Sequence, residues 1–132
     1  MRLHIPIRLR SLLNTRMHWR AMARLKKEQR KATKLSLVGK SLPPPPLIVT
    51  ITRIGPRKLD GDNLQGACKY VRDQIAEHVG IDDGSPLYTW TYKQRNDGRH
   101  QYGVEVEIVS RPEIGDDPTE AAGIAARGLR TR

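Results

Sequence analysis

Two pairs of acids frame one segment of the chain. Asp60 and Asp62 stand one residue apart before it, and Asp82 and Asp83 close it in the stretch LDGDNLQGACKYVRDQIAEHVGIDDG. Carboxylates supply hard oxygen ligands, and a cluster of them can hold a divalent cation that activates water and neutralises charge in phosphodiester hydrolysis. A two-residue step on a helix points side chains nearly opposite ways, so Asp60 and Asp62 can share a cation only from extended backbone ahead of a helix. The plainer reading makes Asp62 a helix cap, lets Asp60 sit at the positive end of the helix dipole, and makes Asp82-Asp83-Gly84 a turn. Lys69, between the pairs, offers an ammonium for developing phosphate charge. Its plainer role is an ion pair with Asp73 one turn later.

The segment between the acids carries Leu64, Ala67, Cys68, Val71, Ile75 and Val79 at helical spacing. That pattern predicts one helix from about Asp62 to His78, stopped by Gly80, with Gly66, Lys69, Asp73 and Glu77 on its polar face. The acids meet only if the chain folds back at its end. An EF-hand is poorly matched, because Leu64 and Gln65 occupy positions that need a ligand and a glycine.

Other elements must position this one. Arg2 to Arg10 alternates apolar and polar residues and predicts a half-buried strand near a sheet edge, since Pro6 cannot donate to a ladder. Met17 to Val38 predicts a long basic helix, and Pro43 to Pro46 a stiff spacer. Leu47 to Ile54, dense in β-branched residues, predicts a central strand. Tyr88 to Lys93 and Tyr102 to Val109 alternate around Asn96-Asp97-Gly98, a hairpin signal. The expected fold is α/β (α+β): a small mixed sheet with two main helices, in one domain over 1–110, with a loosely held tail over 111–132 and a helical turn near Thr119 to Ala126.

Charge divides the chain. Residues 1–59 hold fifteen of the 24 Lys and Arg and one acid, net +14; residues 60–132 hold nine bases and thirteen acids, net −4. A basic half for a polyanion beside an acidic half for cations suits a metal-dependent nucleic-acid enzyme. Arg16, Arg20, Lys26, Lys27, Arg30 and Arg57 are the candidate phosphate contacts. A merely solvated basic surface is the competing reading. The single Cys68 points to a buried thiol in a reducing, cytoplasmic setting. No apolar run suits a membrane span or a secretory segment, no glycine-rich loop suggests a nucleotide or other small-molecule cofactor, and no base stands near Ser11 or Ser85 in sequence. The scattered His4, His18, His78 and His100 match no familiar zinc pattern. Trp19 and Trp90 are read first as core anchors and second as base-stacking platforms.

The pattern DGDN, Lys69, Asp73, GIDDG and the later strand GVEVEI resembles the RusA family of Holliday-junction resolvases of bacteria and their prophages. The turn at Asn14 and the basic helix starting near His18-Trp19-Arg20 fit its layout, over about residues 1–109. The resemblance implies a homodimeric endonuclease that uses Mg2+, with Mn2+ a possible substitute. It implies symmetric nicking of four-way DNA junctions in recombination and repair. It also implies that Asp60, Asp62 and one of Asp82 or Asp83, with Asp83 favoured, ligate metal, and that Asn14 joins the DNA contacts. The family lysine often stands four residues after the second aspartate, where this chain has Gly66; Lys69 would take its role. The competing expectations are a non-catalytic basic DNA- or RNA-binding protein and a family member that binds junctions without cutting them.

Overall fold

The structure, a computed structural model, describes residues 1–12 and 18–112. The tail beyond Pro112, with the turn expected near Thr119 to Ala126, lies outside the described residues, as do Asn14 and Arg16. In order, the elements are β1 (Arg2–Ile5), α1 (Trp19–Leu37), β2 (Leu47–Ile54), α2 (Gly61–Ala67), α3 (Lys69–Val79), β3 (Tyr88–Arg95) and β4 (Gly103–Ser110). The four strands form one mixed sheet in the order β1-β4-β2-β3. The α+β expectation holds, with three helices rather than two among the described residues. No helix among the described residues is long and apolar enough to cross a membrane.

β2 is central, as its β-branched run predicts. It pairs in parallel with β3 and antiparallel with β4. A parallel pair needs a crossover, and α2 and α3 supply it. β3 and β4 are therefore not a hairpin, contrary to the turn signal at Asn96-Asp97-Gly98. That turn does form, with the Gly98 N–H donating to Asn96 Oδ1, but the loop spans the end of β2 to reach its other side. β1 is the edge strand expected, yet its pairing ends at Ile5 rather than Arg10. Pro6 lacks an N–H, and the chain bends as the Ile7 N–H donates to Ile5 O.

One sheet face carries the core. Leu3 and Ile5 stand opposite Val106 and Val104, and Val49 and Ile51 opposite Ile108 and Val106. These residues cluster with Leu37 of α1 and with Ala67, Cys68, Val71 and Ile75 of the crossover helices. Burial of such side chains contributes about 1.5–3 kcal/mol each. The opposite face, with Arg2, His4, Thr50, Thr52, Lys93, Glu105 and Glu107, is left to solvent as an open groove. Within α1, Gln29, Thr33 and Leu37 make the buried stripe at four-residue steps, and Arg20, Arg24, Lys26, Lys27, Lys31 and Lys34 are exposed. The Gln29 amide is buried with neither polar atom paired. Arg111, assigned from sequence to a loose tail, is tied to the fold through Thr89, Pro86 and Pro46.

Candidate active site on the crossover

The expected single helix is two. Cys68 ends α2 and begins α3, with φ −88° and ψ −1°, and its N–H is shared between Leu64 O and Gln65 O at 3.2 Å each. The apolar periodicity runs through this joint unchanged, because the joint shifts the helix without turning its buried face outward. Lys69 is thus the first residue of α3. Its Nζ lies 3.7 Å from Asp73 Oδ2, and the ammonium-bearing side chain is largely exposed.

Side chains from the covered sheet face hold the loop that delivers the first acid pair. Arg53, buried on β2, donates from Nε to Leu9 O and from Nη1 to Arg57 O. Burial lowers its pKa, opposed mainly by Cys68. Gln94, its neighbour on β3, bonds Leu59 on both N–H and carbonyl. Asp60 follows directly and is the N-cap of α2, its Oδ1 accepting from the Asn63 N–H and from Asn63 Nδ2. The capping expected of Asp62 therefore belongs to Asp60. Asp62 stands exposed in the first turn. Ser11 donates its hydroxyl to Asn63 Oδ1, which brings the end of the N-terminal segment to this motif.

The second pair is held by other partners. Asp82 turns on itself, Oδ2 accepting from the Gly84 N–H. Asp83 is gripped from outside its turn. Arg72 Nε donates to its Oδ2 at 3.0 Å, Arg72 Nη2 to its carbonyl at 3.2 Å, and Trp90 Nε1 to the same carbonyl at 2.9 Å. Arg72 lies over the Trp90 ring, 4.7 Å from its centroid, and donates from Nη1 to the Tyr92 hydroxyl at 2.7 Å. Burial alone would lower the Arg72 pKa; the Tyr92 and Asp83 contacts outweigh it and raise it. Trp90 packs beside Tyr88 as an anchor, whereas Trp19 is 68% exposed and anchors nothing in the core.

The turn after α3 brings Asp83 back beside Arg72, but among the described residues the two acid pairs are not gathered into one ligand group. Both acid segments are tied to the covered face of β3: Gln94 bonds Leu59, next to Asp60, and Trp90 bonds the Asp83 carbonyl. Those anchors stand four positions apart along β3, about 13 Å. Asp82 and Asp83 line a surface pocket of about 280 Å³ with Asp73, Glu77 and Arg30, and Asp60 and Asp62 are not among its lining residues. Among the described residues, no three His, Cys, Asp or Glu are gathered as ligands for one ion. The donors are nonetheless all carboxylate oxygens, the chemistry a hard cation such as Mg2+ takes.

The cationic candidates separate into two kinds. Arg20, Lys26, Lys27 and Arg57 are exposed, Arg20 beside the Trp19 ring and Lys26 above Tyr70. Arg30 is committed to α3, with Nη2 2.7 Å from Glu77 Oε1 and Nε 3.0 Å from Gln74 Oε1. Sequence reasoning missed Arg72, Trp90, Tyr92, Gln94 and Arg53 as organisers of the site. One signal was present: the alternation of β3 puts Tyr88, Trp90, Tyr92 and Gln94 on the covered face, where a glutamine is out of place unless it bonds something. Compared with protein-family models, curated proteins and solved structures, the chain matches none of them.

Proposed function

We propose that this chain is a structure-specific endonuclease that nicks branched, four-way DNA as a homodimer, with Mg2+ (or Mn2+) held by Asp60, Asp62 and Asp83. The observation that carries this reading is the shared anchoring of both acid segments on the covered face of β3. Asp83 is favoured over Asp82 because its carboxylate is oriented by other elements, while Asp82 closes its own turn. A bound divalent cation would supply a water nucleophile and neutralise charge on the scissile phosphate. The exposed cations of α1 and Arg57 would bind the DNA backbone, with strong salt dependence. Two symmetric cuts need two sites related by a two-fold axis, which a dimer provides. Lys69 is paired with Asp73 and is assigned no step.

A specific observation favours the second reading, a non-catalytic DNA-binding protein: Asp60 is engaged as a cap and Asp83 by Arg72, with no three ligands gathered among the described residues. A synthetic four-way junction separates the two. Mg2+-dependent paired nicking supports the nuclease; salt-sensitive binding without nicking in Mg2+ or Mn2+ supports the binding protein.

A further inference from the structure

We propose that Arg72 is a positioning residue that presents Asp83 to the cation, an inference that rests on the metal-dependent reading above. Three donors from two elements converge on Asp83: Arg72 Nε on the carboxylate, and Arg72 Nη2 and Trp90 Nε1 on the carbonyl. Arg72 is itself fixed, stacked on Trp90 and bonded to the Tyr92 hydroxyl. An ion pair this exposed, with side chains 27% and 38% accessible, contributes little to stability. What it does is orient. With Oδ2 held by the guanidinium, Oδ1 is the oxygen left to meet a ligand, and the backbone on which it turns is pinned. A carboxylate ligand gains affinity for a metal when a neighbour holds its geometry. The planar fork matters here, since one side chain must reach a carboxylate oxygen, a carbonyl and a hydroxyl together, which an ammonium cannot do in the same plane.

The test is Mn2+ binding to the full chain, followed by electron paramagnetic resonance, for wild type, Asp83→Asn, Arg72→Gln, Arg72→Lys and Tyr92→Phe. Circular dichroism and junction binding serve as controls for fold and surface. Arg72→Gln is expected to weaken Mn2+ binding about tenfold with junction affinity retained. Arg72→Lys should remain near that level, and Tyr92→Phe, which removes only one support, should weaken binding about threefold, a fraction of the same effect. If Arg72→Gln does not fold, Tyr92→Phe decides alone. Unchanged or tighter Mn2+ binding in the folded Arg72→Gln or Tyr92→Phe protein, with Asp83→Asn weakened, overturns the role of Arg72 and leaves the metal reading standing. Full recovery in Arg72→Lys overturns the fork. Unchanged binding in Asp83→Asn removes the metal reading and this inference with it.

Discussion

Gln94 closes two hydrogen bonds on Leu59, its Oε1 accepting from the N–H at 2.8 Å and its Nε2 donating to the carbonyl at 2.7 Å. One side chain thereby does for the loop what a neighbouring strand would do. Replacing it by leucine leaves a donor and an acceptor unpaired in a half-buried place, at a cost of about 1–3 kcal/mol. Gln94→Leu should lower the urea midpoint accordingly, and a loss under about 0.5 kcal/mol would show that water serves Leu59 equally well.

The cations of α1 divide by what they already touch. Replacing Lys26 and Lys27 together by alanine should reduce the slope of log K against log salt for junction binding by about two. Arg30→Ala should leave that slope nearly unchanged and reduce stability instead, because its guanidinium joins α1 to Glu77 and Gln74. Equal effects of all three residues on the slope would contradict this division.

The Cys68 thiol is buried between the helices and the sheet, and that burial pushes its pKa from 9.0 up to about 12, against a smaller opposing effect of Arg53. The folded state thus holds the proton that the unfolded chain releases. Stability from this source is complete below about pH 9 and is lost as pH rises toward 12, by on the order of 4 kcal/mol at most. Denaturation from pH 8 to 11 should show wild type losing stability faster than Cys68→Ala; parallel curves would deny the linkage.

Lys69 leads α3 and faces Asp73 across one helical turn. Pairs of this kind contribute about 0.3–0.5 kcal/mol. Lys69→Ala should therefore change single-turnover cleavage by less than about twofold, roughly 0.4 kcal/mol in barrier. A hundredfold loss would instead give the ammonium to the scissile phosphate.

Much of the fold is legible in local pattern: the β-branched run of β2, the Ala-, Leu- and Lys-rich α1, and the edge position of β1. The turn at Asn96-Asp97-Gly98 does not make a β3–β4 hairpin, because a turn signal specifies a reversal and says nothing of a third strand, here β2, between its arms. The joint at Cys68 leaves the apolar stripe intact, so periodicity cannot register it. The acid pairs stand out by type and spacing, whereas their anchors do not. Arg53 and Gln94 fall on the covered face by alternation, and only their partners Leu9, Arg57 and Leu59 give them a purpose. Arg72 reads as one more helix charge until Asp83, Trp90 and Tyr92 surround it.

In the proposed endonuclease, Asp60, Asp62 and Asp83 would hold the cation that cuts DNA. The most direct measurement is single-turnover nicking of a synthetic four-way junction in Mg2+ by wild type and Asp60→Asn, with junction binding followed in parallel. Wild type is expected to nick opposing strands, and Asp60→Asn to bind as well or better and not cut, since it loses a metal ligand and a source of phosphate repulsion while keeping every basic contact. Wild-type protein that binds without nicking in either Mg2+ or Mn2+, or Asp60→Asn that cuts at the wild-type rate, would contradict it.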